Sequence, residues 1–431
     1  MSQPLKVLLV NSYDVGGAAI ACIRLHLALL KAGVQSKILT LHRSNFKTPA
    51  MEVFATEEDV VSKLKQKFIR RKNHQLQNSL KLPKGKSLSG KFSMPVADFD
   101  ITQSPWFEWA DIVNLHWVNE LVDVADFLPK AGDKPLIWTM HDMHGFTGGC
   151  HYSLGCEGYK MACENCPMLV GSNQPNLAHS FWKEKAKALK NIHPNLSIVT
   201  PSRWLSDVSK SSSLFAHFPH FPISNGINTQ IFKHMDKRAC REKLGLPQDA
   251  YLLLGVSQHL GDERKGFNFL IESLQFLQGN QNMQLLLVGN SEKEPQANYP
   301  IPVIHAGIFK EEEMLAELYN AVDLLVAPSI EDNLPNVVVE ALCCGLPTVG
   351  FAIGGMTQLV QENENGFLAK EINSEALATF ILKAADKSIS TERRKKIAET
   401  AMYLYSQETL AKNYIKLFEA VISEKIEKDV V

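Results

Sequence analysis

The 431-residue chain lacks several features that would set its class directly. No apolar run approaches the ~18 residues of a membrane-spanning helix. The first apolar run, Val7 to Val10, is too short for a signal-peptide core, so a cytoplasmic location is expected. Neither sign of charge is in excess. A formal net charge of −1 gives no global attraction to nucleic acid or to an anionic membrane. No short repeat or low-complexity tract occurs. The opening strand is not followed by Gly-x-Gly-x-x-Gly and no acidic residue closes the second, which argues against a nicotinamide or flavin site. Acidic residues are also missing between Val60 and Ala97.

What is present is an ordinary globular composition, 45% hydrophobic and 21% charged, long enough for two or three domains. Lys6 to Val10 reads as a buried strand of a parallel sheet. The loop Asn11 to Ala18, a helix from about Ala18 to Lys31 and a strand from Ser36 to Leu41 complete a βαβ opening. Gly16 and Gly17 in that loop would let the backbone approach a ligand closely, or simply make a tight turn. Asp111–Trp117 and Pro135–Asp142 read as core strands ending in His116 and His141. Polar residues at the carboxyl ends of parallel strands face the crevice where such sheets bind ligands. His141, followed by Asp142, is the candidate for chemistry, with a purely structural strand-end histidine as the alternative. Leu196–Leu205 reads as strand, turn and helix, and Phe221–Asn228 as a last strand leading to a linker.

After Lys233 the pattern restarts. Tyr251–Val256 is a strand, about Asn268–Leu277 a helix, Gln284–Val288 and Val303–Ile304 strands, and about Lys310–Tyr319 a helix. The fold class is therefore α/β with two units, and the boundary falls near residue 225, at the turn signal Asn225-Gly226. The tail from about Gln407 to Lys428 reads as a helix that packs back across the domain junction.

Two stretches of the first half stand apart. From Lys63 to Lys91 there are ten Lys or Arg residues. Lys63, Lys65, Lys67, Arg70, Arg71 and Lys72 are interleaved with Leu64, Phe68 and Ile69. This suits an anionic membrane surface or a lipid diphosphate, or else a solvated excursion. Cys150, Cys156, Cys163 and Cys166 follow the spacing C-x5-C-x6-C-x2-C. They read either as a tetrahedral structural zinc site or as reduced thiols within an irregular loop.

The segment Ala327–Gly350 is the most informative. A buried strand (Leu324–Val326) runs into the polar turn Glu331-Asp332-Asn333. Pro335 stands where a helix can begin and Gly345 where it can end, with Pro347 blocking its continuation. The turn then lies at a helix N-terminus, where backbone N–H groups and the helix dipole attract phosphate. Glu340, four residues after Asn336 and on the same face, is placed to accept hydrogen bonds from paired ribose hydroxyls. The glycine-containing loop Gln258–Phe267 carries Arg264 and Lys265, suited to a diphosphate as fork and point charge.

Taken together, these residues resemble the retaining nucleotide-sugar glycosyltransferases of family 4. The resemblance rests on the Gly16-Gly17 loop, Asn225-Gly-Ile-Asn228, Arg264-Lys-Gly266, Tyr319 with Asp323, Pro328-Ser329 and the run Asp332 to Pro347. The Asp-Asn-Leu-Pro-Asn version and the loop Thr147-Gly-Gly-Cys-His-Tyr152 are similar to a subgroup that builds bacterial exopolysaccharides, of the colanic-acid type. Two positions depart from the family pattern. The paired-acid spacing starts at Asp332 rather than at a glutamate, and His259 stands where many members have arginine.

The resemblance implies two facing Rossmann-like domains (the GT-B fold). Residues 1–224 would bind the acceptor, 225–406 the donor, and 407–431 would form a crossover helix. The donor would be a nucleoside-diphosphate sugar of UDP or GDP type, and the acceptor a glycan or polyprenyl-diphosphate-linked molecule at the inner face of the plasma membrane. Glu340 would hold the ribose, the N–H groups around Asn336 and Val337 the phosphate, with Gly16 and Gly17 at the donor. Arg264 and Lys265 would stabilise the departing diphosphate, Asp332 would orient the hexose, and His141 would act near the reacting carbon. Catalysis would need no cofactor. A nucleotide-sugar epimerase on the same fold and a non-catalytic sugar- or lipid-binding protein are the alternatives.

Overall fold

Lys6-Val-Leu-Leu-Val10 forms the first strand because both faces of it are covered. Leu8 and Val10 pack with Leu115, Leu136 and Ile198, whereas Val7 and Leu9 pack with Cys22, Leu25 and Leu29. Successive side chains leave a strand on opposite faces, so a strand buried on both sides is apolar throughout. The structure, a computed structural model, describes residues 4–44, 48–54, 80–82, 91–94, 99–190, 195–280, 282–290, 299–309, 311–387 and 389–429, with residues 64, 71, 75, 97 and 192 besides. The basic stretch from Lys63 to Lys91 lies almost wholly outside these residues.

The chain divides into two compact units, residues 1–224 with 410–431, and residues 225–409. In the first unit the strands are β1 (Lys6–Val10), β2 (Gln35–Thr40), β3 (Met51–Val53), β4 (Ile112–Leu115), β5 (Leu136–Thr139), β6 (Leu196–Thr200) and β7 (His220–Pro222). They form one sheet in the order β3-β2-β1-β4-β5-β6-β7, with every pair parallel. The helix Gln407–Asp429 closes one face of this sheet. Leu410, Ala411, Tyr414, Leu417 and Phe418 are buried with Val7, Leu9 and Ile137, and the hydroxyls of Tyr414 and Thr139 lie 3.0 Å apart.

The second unit repeats the plan with β8 (Tyr251–His259), β9 (Met283–Asn290), β10 (Val303–His305), β11 (Leu324–Ala327), β12 (Thr348–Phe351) and β13 (Gly366–Ala369). Their order is β10-β9-β8-β11-β12-β13, again all parallel. Leu252, Leu254 and Leu325 face one core cluster, and Leu253, Leu324 and Val326 the other. Asp323 pins this unit from below. Its carboxylate takes hydrogen bonds from the buried Arg241 (2.7 Å), from the Leu252 N–H (2.7 Å) and from Lys237.

Three elements differ from the sequence expectation. The strands expected to end in histidine stop at Leu115 and Thr139, which leaves His116 and His141 on the loops beyond them. The helix expected over 268–277 is an α-helix only over Phe267–Ser273, followed by a 3-10 turn Leu274–Leu277. At the junction the Ser273 hydroxyl donates to the Leu270 carbonyl at 2.6 Å, a back-bond that competes with regular helix. Among the described residues no helix is long and apolar enough to cross a membrane.

Candidate active site

The order of the second sheet reverses between β8 and β11. The loops leaving the carboxyl ends of those two strands therefore flank the place where parallel sheets bind ligands. The β8 loop turns through Glu263–Lys265, with the Asp262 carboxylate accepting the Arg264 N–H at 3.0 Å. The β11 loop carries Glu331, Asp332 and Asn333 into the helix Asn336–Cys343, which starts directly after Pro335. Three hydrogen bonds join the loops: Ile330 N–H to the Arg264 carbonyl (2.9 Å), the Arg264 guanidinium to the Glu331 carbonyl (3.1 Å) and the Lys265 ammonium to the Asp332 carboxylate (2.6 Å). Gly266 makes this approach feasible. It adopts φ 65°, and a Cβ there would overlap the Pro328 carbonyl oxygen.

Asp332 lies where the two loops meet. Only 6% exposed, its carboxylate is 2.6 Å from the Lys265 ammonium and 3.5 Å from the Arg264 guanidinium. Burial alone would raise its pKa, but the charges of Lys265 and Arg264 outweigh that and hold the carboxyl below its ordinary value. Arg264 also reaches Asp262 at 3.2 Å. Two cations are thus fixed at the end of a sheet by one buried anion and a backbone carbonyl.

One turn into the helix, Glu340 is 6% exposed and accepts the Tyr319 hydroxyl at 3.1 Å. Tyr319 is fully buried on the helix Glu312–Ala321. Asn336, at the start of the helix, accepts the Asn225 amide at 3.0 Å. Val338, Val339, Ala341 and Leu342 are buried around Glu340, which keeps the helix seated on the sheet. The helix ends as the sequence predicts, with Gly345 at φ 76° and Leu346 N–H returning to the Ala341 carbonyl at 2.9 Å.

In the first unit, the loops beyond β4 and β5 bring histidines together. His116 Nδ1 lies 2.9 Å from His141 Nε2, with the rings stacked 5.2 Å apart. Burial pushes His141 down to about 4, and drives His116 well below its usual value with help from its neighbour. Both rings are therefore neutral at pH 7. Asp142 accepts the Trp117 indole N–H (3.0 Å), His151 Nδ1–H (2.7 Å) and the His144 N–H (2.9 Å). Burial would raise that carboxyl, yet the facing His151 keeps it well below the carboxylate range. Lys185 of the helix Leu177–Leu189 is 1% exposed. Its ammonium donates to the carbonyls of His144 (2.6 Å) and Thr147 (3.0 Å), and burial lowers it to about 8.

The four cysteines of the following loop are all free thiols. Gly148 N–H donates to Cys163 Sγ at 3.1 Å and Gly158 N–H to Cys156 Sγ at 3.4 Å. Cys150 is pushed up to about 12 by burial, with a smaller contribution from the other three thiols. Among the described residues, no group of three or more His, Cys, Asp or Glu side chains is placed to hold a metal ion.

Of the residues singled out from the sequence, the structure brings Arg264, Lys265 and Asp332 into contact at the end of the second sheet. Asn336, Val337 and Glu340 are in the first two turns of the adjoining helix. Gly16, at φ 93°, precedes the helix that starts at Gly17, and with His141 belongs to the first unit. His259 is an exposed residue at the end of β8. Sequence reasoning missed Gly354 and Gly355, which lie against the Asp332 and Asn333 carbonyls and support the acidic turn from below. A glycine pair two residues beyond the strand Thr348–Phe351 was the available signal. It also missed the roles of His144, His151 and Lys185, which carried no spacing signal.

The family described as glycosyl transferases group 1 matches residues 251–387, the larger part of the second unit. Over 296 residues the chain is 25% identical to "Putative colanic acid biosynthesis glycosyl transferase WcaC" of Escherichia coli K12, covering 66% of this chain and 69% of that one. Among solved structures it is similar to sucrose-phosphate synthase from Thermosynechococcus elongatus. The TM-score is 0.66 at 17% identity, over 97% of this chain and 100% of the other. Anabaena HepE in complex with UDP-glucose gives a TM-score of 0.63 at 17% identity, over 96% and 100%. At these identities the likeness to solved structures is one of fold.

Proposed function

Because this chain is a glycosyltransferase of the GT-B fold with a group 1 domain over residues 251–387, we propose that it transfers a hexose, with retention, from a nucleoside-diphosphate sugar to a glycan or lipid-linked acceptor in surface polysaccharide synthesis. The observation that carries the reading is the pair of cations, Arg264 and Lys265, held by Asp332 beside the N-terminus of the helix Asn336–Cys343. A diphosphate leaving group gains charge as its bond to the sugar breaks, and fixed cations and helix N–H groups lower the energy of that state most. Glu340, oriented by Tyr319, accepts the ribose hydroxyls, and the N–H groups of Asn336 and Val337 meet a phosphate.

In this reading the sugar–oxygen bond to the diphosphate breaks while the acceptor oxygen bonds to the same face of that carbon. The acceptor proton passes to the departing phosphate, so no protein nucleophile or catalytic cofactor takes part. Asp332 orients the hexose while keeping Lys265 in place, Gly16 and Gly17 lend backbone to the donor, and His141 acts on the sugar or acceptor near the reacting carbon. The names of WcaC and of the HepE complex with UDP-glucose support a polysaccharide context and a nucleotide-sugar donor. Contact of the basic stretch 63–91 with an anionic membrane belongs to the same reading, since lipid-linked acceptors reside there.

Isothermal titration with UDP and with GDP tests the nucleotide requirement, and failure of both to bind overturns the proposal. A screen of nucleotide sugars for release of nucleoside diphosphate, with and without lipid-linked acceptors, then identifies the donor. Turnover of donor without any acceptor or water consumption would favour an epimerase instead.

A further inference from the structure

Ser93, His151 and Asp142 stand in a row on the first unit, and the transferase reading uses none of the three. Ser93 Oγ lies 2.8 Å from His151 Nε2, and His151 Nδ1 lies 2.7 Å from Asp142 Oδ2. The polarity of the row follows from its acidic end. Asp142 also takes the Trp117 indole N–H at 3.0 Å and the His144 N–H at 2.9 Å, and its carboxyl is held well below the usual range. It is therefore an ionised group that can only accept. His151 must donate to it from Nδ1. In the neutral ring Nε2 is then a lone pair, and the Ser93 hydroxyl donates to that atom.

The row is fixed by its surroundings. Phe92 and Cys150 form an antiparallel bridge, with Ser93 N–H on the Gly149 carbonyl at 2.9 Å and His151 N–H on the Lys91 carbonyl at 3.0 Å. The short segment that carries Ser93 is thus fastened to the one that carries His151. The His151 ring stacks with Trp117 (5.8 Å, 19°) and with His144 (5.1 Å, 22°). Side chains alternate along an extended segment, so Phe92 and Met94 are buried in the core while Ser93 between them is only half-buried. The N–H of Met94 has no backbone acceptor among the described residues. The N–H of the residue after a nucleophilic serine is a recurring donor to the oxyanion.

We infer that Ser93, His151 and Asp142 are a nucleophilic triad, a second reaction centre on this chain that acts on carboxylic esters of short acyl groups. Such a constellation is recognised by geometry and roles rather than by fold or chain order. Ser93 Oγ attacks the ester carbonyl carbon while its proton passes to His151 Nε2, and the Met94 N–H meets the negative oxygen. The carbonyl re-forms, the bond to the alcohol oxygen breaks, and His151 returns the proton to that oxygen. Water then attacks acyl-Ser93 by the same route, which releases the carboxylic acid and restores the hydroxyl. Asp142 touches no reacting atom and is the positioning residue that keeps Nδ1 protonated. The acyl group is short because the residues on both sides of Ser93 are turned into the packed core and offer it no apolar channel.

The inference stands apart from the transferase reading, and so does its test. The full-length protein is treated with a fluorophosphonate, the adduct is located by peptide mass spectrometry, and hydrolysis of p-nitrophenyl acetate is followed alongside. An adduct on Ser93 is expected, with ester hydrolysis lost in proportion to labelling. Ser93→Ala is expected to abolish both. His151→Gln removes the base and Asp142→Asn the charge that orients it, and each is expected to slow labelling at least about a hundredfold. Absence of a Ser93 adduct in the unaltered protein overturns the inference, whether or not the variants fold. Labelling of Ser93 at an unchanged rate in folded His151→Gln does so too, since it would leave Ser93 an accessible hydroxyl only. Nucleoside diphosphate binding is not among these measurements, so its failure would count against the transferase reading alone.

Discussion

The Lys265 ammonium and the Asp332 carboxylate lie 2.6 Å apart, although 67 residues separate them, because the loops from β8 and β11 leave adjacent strands at the point where the order of the sheet reverses. The pair holds its cation in place ahead of any ligand. Replacing Asp332 by Asn removes the anion while leaving two partly buried cations. The variant is expected to be less stable by about 1–3 kcal/mol, the scale of a lost charge-assisted hydrogen bond. It should also bind nucleoside diphosphate more tightly than the parent, while transferring sugar more slowly. Denaturant melts, titration calorimetry and initial rates measure the three effects separately.

Lys265→Ala withdraws the charge nearest the proposed leaving group. Removing one such group from a preorganised site costs about 10²–10³ in kcat. Lys183, exposed on the helix Leu177–Leu189, serves as the comparison. Lys183→Ala should stay within about twofold of the parent, as surface substitutions usually do. Steady-state kinetics that give the two alanine variants the same kcat would remove Lys265 from the mechanism.

Tyr319→Phe deletes the hydroxyl that donates to Glu340 and leaves a buried carboxylate short of one donor. Nucleoside diphosphate affinity is expected to fall about tenfold, which corresponds to about 1.4 kcal/mol. Glu340→Gln should weaken binding as well, and more for the ribonucleotide than for its 2′-deoxy analogue. Equal losses for both would separate Glu340 from the ribose.

The histidines beyond β4 and β5 make the first unit sensitive to acid. His116, His141 and His144 all have pKa values depressed by burial, His141 from 6.5 to about 4. Between those values the unfolded chain binds protons that the folded one refuses, so stability rises with pH across the window and is lost as pH falls from about 6.5 towards 4. Thermal melts through that range should show a progressive drop. The drop should be shallower in His116→Phe, which has one fewer ring to protonate.

Much of the fold is legible in the sequence because parallel strands covered on both faces are apolar at most positions. Lys6–Val10 and Tyr251–Leu254 say this without ambiguity. The helix Asn336–Cys343 is legible for a different reason, since Pro335 and Gly345 mark its ends by covalent geometry alone. What is not legible is which loop residues touch. Lys265 and Asp332 were identified separately, but their contact depends on strand order, which no local pattern encodes. The pairing of His116 with His141 has the same origin, since β4 and β5 are neighbours only in the finished sheet. The four cysteines are a related case, since spacing along a loop does not fix the distances between thiols; in the fold Cys163 and Cys156 take backbone N–H groups from Gly148 and Gly158.

The helix Gln407–Asp429 covers a sheet whose strands all lie within the first 222 residues. The ribosome therefore delivers every strand of the first unit long before its last layer. Until Tyr414 and Phe418 arrive, the face of Val7, Leu9 and Ile137 is covered only in part, by the helix that carries Cys22, Leu25 and Leu29. The second unit is continuous in sequence and has no such wait. This layer of the first unit is thus made after the whole of the second, and a chain interrupted anywhere before Leu410 would carry a partly uncovered sheet that invites aggregation or proteolysis.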